Sequence, residues 1–241
     1  MMATFAFVLQ TAVVTRVLFL VPFEGRRRFE ALTRAVKEDA RARVRFFWRF
    51  LLVWWSVFAV VLASLYLDGA HPRTIGLRKI HGAGPWLLIA ACLFLLVLPL
   101  WRVRSEGPYR DAVRAQLSRA RVLIPTTSEE RWLFAAVCVT AGVCEELVFR
   151  GLVPAYFDKL LPGAQFVGAA ASVLGFGLAH LYQGVRGVVL TALLGLALLS
   201  VSVATGSVLG AMILHAANDL RILALALLLE KPLVDGRDGT P

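Results

Sequence analysis

Charged residues are scarce in this chain, and their scarcity excludes most soluble folds. Asp, Glu, Lys and Arg make up 17% of the 241 residues, whereas 59% of the residues are hydrophobic. Soluble domains average about 25% charged and about 45–50% apolar residues. A disordered chain and an ordinary soluble enzyme are therefore excluded, and the mean hydropathy of +0.72 indicates that lipid is the solvent.

Cysteine is also rare, which excludes a disulfide-stapled secreted domain. Cys92, Cys138 and Cys144 all lie within apolar runs, where cysteine behaves as a small hydrophobic residue. No CxxC pair occurs, so the cysteines show no metal-binding spacing. No charged residue precedes the first apolar run, Ala3 to Phe23, and we interpret that run as a membrane segment rather than a cleaved signal.

Long uncharged runs predict an all-α, multi-pass membrane helical bundle with about seven spans, within a range of six to eight. The run from Gly187 to Leu214 is longer than one span, and Gly206 favours a turn within Ala204 to Ser207. The last helix should then extend from about Ser207 to Leu229. The remaining predicted spans are Ala3 to Phe23, Phe50 to Leu67, Gly84 to Trp101, Trp132 to Cys144 and Leu160 to Ala179.

The net charge of +10 comes mainly from two basic stretches. Glu24 to Arg49 holds nine basic and four acidic residues, and Arg102 to Arg131 holds seven basic and four acidic residues. Two predicted spans separate the stretches, so both should be loops on one side, and an excess of Lys and Arg favours the cytoplasm. We therefore expect membrane lipids and no nucleic acid as partners. The segment Arg26 to Arg45 could also form a helix on an anionic lipid surface.

These features divide the chain into three regions. Residues 1–131 hold the N-terminal spans and the two basic cytoplasmic loops. Residues 132–229 hold the later apolar helices, which carry the unusual polar residues described next, and residues 230–241 form a polar C-terminal tail.

Ionisable residues interrupt the apolar helices of the second region. A charged residue near the bilayer centre costs about 2.5–3.5 kcal/mol, so these side chains should face one another in an interior polar cavity. Spacings of four residues pair Glu146 with Arg150 and His215 with Asp219. Glu145 points away from the first pair. The full set is Glu145, Glu146, Arg150, His180, His215, Asn218 and Asp219.

Two chemistries suit this set. A carboxylate beside a histidine can activate water as a general base, and a His or Asn can hold a developing oxyanion. Alternatively, Glu145, His180 and His215 match a catalytic zinc set with an open position. Glu145 and His180 each lie about 17 residues from a predicted turn at Pro162-Gly163, which brings them to one level in antiparallel helices. Pro154 should kink the acidic helix near Arg150.

Three strings occur in order in these helices: CEELVFRG (Cys144 to Gly151), FGLAH (Phe176 to His180) and HAAND (His215 to Asp219). They resemble the EExxxR, FxxxH and HxxxN/D motifs of the CAAX prenyl endopeptidase and bacteriocin-processing family of intramembrane proteases, also called CPBP or Abi. The resemblance covers about Trp132 to Leu225 and so identifies residues 132–229 as a CPBP-like protease core.

The resemblance implies an all-α multi-pass fold and hydrolysis of a peptide bond by water. Glu145 would activate the water with His180 beside it, and His215 with the residue four later would stabilise the oxyanion. Glu146 and Arg150 would be an orienting or structural pair, and Phe176 would shape the cavity. The family is often labelled a metalloprotease, yet a metal-free, glutamate-driven mechanism is also argued for it. One Zn²⁺ held by Glu145, His180 and His215 therefore stays open.

The third motif departs from the common family pattern, because Asp219 stands where Asn is frequent. An ionised Asp cannot donate a hydrogen bond to an oxyanion. Three outcomes follow: Asp219 orients His215, Asp219 is kept protonated by burial, or Asn218 takes the donor role.

The sequence thus predicts an intramembrane endopeptidase acting on a peptide or protein substrate. We expect it in a bacterial plasma membrane, with the active site toward the cytoplasmic half. The alternative is a non-catalytic membrane protein, either a transporter or a bacteriocin self-immunity scaffold, that uses the same polar cluster for binding.

Overall fold

The computed structural model describes residues 2–230, which contain helices and no β-strand. The predicted all-α class is therefore confirmed, whereas the predicted polar tail lies outside the described residues apart from Glu230. The α-helices are α1 (Met2–Thr15), α2 (Val21–Ala35), α3 (Ala42–Leu67), α4 (Ala83–Ser105), α5 (Gly107–Arg119), α6 (Ser128–Thr140), α7 (Val153–Leu160), α8 (Gln165–Ala179), α9 (Gly184–Thr205) and α10 (Val208–Glu230).

Within residues 2–230, six continuous helical segments are long and apolar enough to cross a membrane. The 15-residue helix α8 is a seventh, shorter apolar helix. This architecture confirms the predicted multi-pass bundle and makes the chain an integral membrane protein. The six long segments are Met2–Ala35, Ala42–Leu67, Ala83–Ser105, Ser128–Leu160, Leu181–Thr205 and Val208–Leu229.

Glycine and proline set the boundaries of the later helices. Gly206 adopts a left-handed conformation with φ of 64°, and it ends α9 inside the predicted turn. The predicted span Leu160 to Ala179 was too long at its start, because α8 begins only at Gln165. Pro162 and Gly163, which has φ of 85°, occupy the turn before it.

The basic stretches differ from the predicted loops, since both are largely helical. The first segment runs as one helix from Met2 to Ala35 and turns π-helical at Arg16–Leu20. Glu24 pairs with Arg16 at 2.8 Å and with Arg28 at 3.0 Å, which allows charged residues to continue the helix. The predicted surface helix over Arg26 to Arg45 is interrupted, because α2 ends at Ala35 and α3 begins at Ala42.

The two basic stretches contact each other, as expected if they lie on one side of the bundle. Arg41 forms an ion pair with Glu129 at 2.9 Å, and Arg43 Nε donates to the carbonyl of Val122 at 2.8 Å. The opposite helix ends are joined by a different pair, Lys159 with Asp68 at 2.9 Å. The bundle therefore has a basic end and an opposite end.

The helical segment Ser128–Leu160 is the central element of the bundle. It is more buried than the other five long segments, and its second half packs in the main apolar core. A helix that is apolar on all sides suits such a position. Since this segment carries the first motif, its burial places the acidic residues inside the protein rather than in lipid.

Candidate active site

Two π-helical turns surround the acidic pair. Ala141–Glu145 and Leu147–Leu152 are π-helical, and Glu146 between them keeps helical dihedral angles. No sequence pattern indicates these turns, which occur frequently at functional sites. Pro154, at the start of α7, cannot donate a backbone hydrogen bond to the preceding turn. The helix is π-helical near Arg150 and continues without a break.

Glu146 joins the first and third motifs. Its Oε1 accepts a hydrogen bond from Arg150 Nη1 at 2.8 Å and lies 2.8 Å from Nδ1 of His215. All three side chains are almost completely buried. A carboxylate in this position compensates the buried guanidinium and fixes the orientation of the imidazole ring.

Arg150 extends the network to α8 and α9. Its Nη2 donates to the carbonyl oxygen of Gly195 at 3.1 Å, and its Cζ lies 4.1 Å from the ring centroid of Phe176. This geometry is a cation–π contact. A Cβ on Gly195 would lie 3.2 Å from Arg150 Nη2 and 3.1 Å from Phe176, so the absence of a side chain there gives the guanidinium its space.

Phe176 is the shared neighbour of all three motifs. It is fully buried, with its ring centroid 5.1 Å from that of His180 and 5.5 Å from that of His215. The contact with His215 is edge-to-face, with an interplanar angle of 87°. The second motif is thereby held against Arg150 of the first and His215 of the third.

His180 caps the C-terminus of α8. Its Nδ1 lies 2.9 Å from the carbonyl oxygen of Phe176. Because a carbonyl can only accept, Nδ1 is the protonated nitrogen, and Nε2 of a neutral ring is left as an acceptor. The Tyr182 ring lies 5.8 Å from His180 and 5.2 Å from Phe29 of α2. The His180 end of α8 thus meets the basic end of the bundle.

Asp219 lies beside the second nitrogen of His215. Its Oδ2 is 3.5 Å from His215 Nε2, and its Oδ1 accepts a hydrogen bond from Asn218 Nδ2 at 3.1 Å. The side-chain oxygen of Asn218 accepts from Arg221 Nη2 at 3.0 Å. The imidazole of His215 therefore sits between the carboxylates of Glu146 and Asp219.

Glu145 differs from Glu146 in having no hydrogen-bond or ion-pair partner among the described residues. The residue is 7% exposed, and its carboxylate makes no hydrogen bond or ion pair with any residue in the range 2–230. The π-turn that carries it packs against α10. The approach is close, since a Cβ on Gly142 would lie 2.7 Å from the backbone nitrogen of Ala216, next to His215. The structure therefore offers one buried carboxylate without a partner at the edge of the network.

A family model supplies the deciding comparison. Residues 127–221 match the model of the Rce1-like type II CAAX prenyl endopeptidases. This segment is therefore similar to an Rce1-like domain. The recognition of the CAAX prenyl endopeptidase family from the three motifs is thereby confirmed. Comparison with curated proteins found no match, and comparison with solved structures found none either.

The Rce1-like domain contains every residue proposed from the sequence, and further residues that the motifs do not reveal. Gly142 allows α10 to approach the acidic segment closely, and Gly195 leaves space for the Arg150 guanidinium. Tyr182 packs beside His180, and Arg221 donates a hydrogen bond to Asn218. A glycine on an apolar helix carries no local signal of what it contacts. Tyr182 could have been noticed, because it is an aromatic residue two positions after His180.

The predicted zinc ligands do not fit a metal site in this arrangement of the Rce1-like domain. Among residues 2–230, no three His, Cys, Asp or Glu side chains are placed to hold one metal ion. His215 directs one nitrogen to Glu146 and the other toward Asp219, so both nitrogens face carboxylate oxygens as donors and neither offers a lone pair to a metal ion. We derive no step through a metal.

Proposed function

We propose that this protein is an intramembrane endopeptidase and that Glu145 activates the attacking water. The observation that carries the proposal is the buried contact between Glu146 and His215 at 2.8 Å, which joins two motifs within an Rce1-like domain. A carboxylate one residue away, buried and without a partner, is then a candidate general base.

The proposed reaction begins with water bound between Glu145 and His180. The unprotonated Nε2 of His180 accepts a hydrogen bond from the water, and Glu145 takes a proton as the water oxygen attacks the peptide carbonyl carbon. A tetrahedral oxyanion forms. Glu145 then returns the proton to the leaving nitrogen, the C–N bond breaks, and the products are a carboxylic acid and an amine.

His215 is proposed to stabilise the oxyanion. Its Nε2 lies 3.5 Å from Asp219, which is longer than an ordinary hydrogen bond, so this N–H keeps the capacity to donate to an oxyanion. Glu146 at Nδ1 would hold the ring in place. Of the three outcomes for Asp219, we favour the orienting role, because its carboxylate faces His215 while the Asn218 amide is engaged with Asp219 and Arg221.

The substrate is proposed to be a peptide or protein segment that enters from the membrane or from the basic end of the bundle. Tyr182 beside His180 contacts Phe29, which belongs to the first basic stretch. By the positive-inside rule this end faces the cytoplasm. The active site would then lie toward the cytoplasmic half of a bacterial plasma membrane.

A peptide-cleavage assay tests the proposed function. The protein is reconstituted in lipid and given a pool of fluorogenic peptides, with the products identified by mass spectrometry. We expect cleavage by the wild type and by His71→Ala, since His71 is exposed in a loop. His180→Ala should lose activity. A wild type that cleaves no peptide, or a His180→Ala variant as active as the wild type, contradicts the proposal.

A further inference from the structure

One exposed face of α3 changes from basic to aromatic along its length. Residues spaced alternately four and three apart lie on one helix face, and every member of this stripe is exposed. The two arginines stand at the basic end of the bundle and the two tryptophans follow. The members of the stripe are Arg41, which directly precedes α3, and Arg45, Trp48, Leu52, Trp55 and Ala59 within it.

The apolar part of this stripe borders a groove. The groove has a volume of 530 Å³ and lies between α3 and α6, with Ala136 and Thr140 on its second wall. Trp55 Nε1 donates to Thr140 Oγ1 at 3.1 Å, and this bond holds the indole between the two helices. The groove is open on its outer side.

At the charged end of the groove, arginines and their ion pairs take the place of the apolar wall. Arg41 pairs with Glu129 at the start of α6 and closes the gap between the helices. Arg45, one turn closer to Trp48, is paired with Asp39, yet its side chain keeps 63% exposure. Trp132 of α6 is 79% exposed at the same end. Exposed tryptophan beside arginine is typical of the level of lipid headgroups.

We propose that this groove binds one anionic phospholipid, with an acyl chain against Trp48, Leu52 and Trp55 and the headgroup at Arg45. Charge complementarity identifies the headgroup as anionic, since the groove ends in arginine at the basic end of the bundle, which has a large excess of basic residues. The position of the apolar wall, deeper in the bundle than the arginine end, identifies the acyl chain as the part of the lipid that it contacts. The site is separate from the proposed catalytic residues, although Thr140 directly precedes the π-turn that carries Glu145.

Quenching of tryptophan fluorescence by brominated lipids tests this proposal. The protein is reconstituted with brominated phosphatidylglycerol or brominated phosphatidylcholine, and Trp55→Phe identifies the signal from the groove. We expect tighter binding of phosphatidylglycerol in the wild type. Arg45→Gln should lower that preference about fivefold, the factor equivalent to the ~1 kcal/mol that a basic side chain contributes near an anionic surface.

Two matched variants distinguish lipid binding at this groove from a general attraction of anionic lipid to the basic residues of the protein. Asp39→Asn removes the partner of Arg45 but keeps the arginine, so the preference should be retained or increased. Arg34→Gln removes an exposed charge from α2 and should leave the preference unchanged. Equal quenching by the two lipids, or equal effects of Arg34→Gln and Arg45→Gln, would overturn the proposal. Displacement of brominated lipid by an isoprenyl thioether at lower concentration than by phosphatidylglycerol would also overturn it, and would indicate a lipid-anchored substrate.

Discussion

At the scale of single residues, Glu145 and Glu146 are adjacent carboxylates in opposite surroundings. Glu146 accepts from Arg150 and contacts His215, whereas Glu145 has no such partner among the described residues. Burying an ion is costly unless it is paired, and removing one member of a buried pair leaves the other uncompensated. The two residues should therefore respond differently to the same isosteric substitution.

We expect Glu146→Gln to lower the free energy of unfolding by about 3–5 kcal/mol, because Arg150 then carries an uncompensated buried charge. Glu145→Gln should leave the stability unchanged or raise it, since it removes an unpaired buried carboxylate. Thermal or denaturant unfolding of the two purified variants in the same detergent measures the difference. Equal destabilisation by both substitutions would contradict the paired role of Glu146.

Asp219 gives a second prediction at this scale. If it orients His215, an amide oxygen can take its place, and Asp219→Asn should keep most of the peptidase activity. Asp219→Ala should lower kcat about 10–100-fold, because His215 and Asn218 lose an acceptor whose removal costs about 1–3 kcal/mol. Steady-state kinetics of the two variants make the comparison. An inactive Asp219→Asn variant would show that the negative charge itself is required.

At the scale of elements, glycines set the distance between the motif-bearing helices. A Cβ at Gly142 would lie 2.7 Å from the nitrogen of Ala216, so a side chain there must push α10 and His215 away from the acidic segment. Glycine and other small residues allow such close helix contacts in membranes. The geometry of Glu146 with His215 therefore depends on a residue that has no functional group.

We expect Gly142→Leu to abolish peptide cleavage and Gly142→Ala to lower it. Gly84→Ala is the matched control, because a Cβ at Gly84 has no atom within 4 Å. Activity and the thermal midpoint should be measured together for all three variants. If Gly142→Leu cleaves peptide as fast as Gly84→Ala, the close helix contact is unimportant for the site.

Sequence patterns predicted some elements well and others poorly. Gly206 marked the turn between α9 and α10, and the four-residue spacing of Glu146 and Arg150 matches the pair in the structure. Both signals are local. The π-turns, the Gly195 carbonyl that binds Arg150, and the helical form of the basic stretches depend on contacts between distant segments, so hydropathy and spacing could not indicate them.

At the scale of the whole molecule, the contact between the two basic stretches defines one end of the bundle. Arg41 with Glu129 connects them, and Lys159 with Asp68 marks the opposite end. Arginine and lysine near membrane helices favour the cytoplasmic side. This arrangement predicts on which side of the membrane each loop is accessible.

We expect Lys37→Cys and Arg114→Cys to react with a membrane-impermeant maleimide from the cytoplasmic side only. His71→Cys, in the loop between α3 and α4, should react only from the other side. All three positions are exposed. The wild type, whose cysteines are buried or half-buried within the bundle, serves as the unlabelled control. Labelling of positions 37 and 71 from the same side would contradict this topology.

Peptide cleavage by Glu145→Gln tests the central claim most directly. We expect kcat/KM to fall at least about 100-fold, the lower range for loss of a general base, while the thermal midpoint of the variant is no lower than that of the wild type. Glu129→Gln, at an exposed carboxylate, should cleave like the wild type. Wild-type kcat/KM in a folded Glu145→Gln variant would contradict the assignment of Glu145 as the residue that activates water.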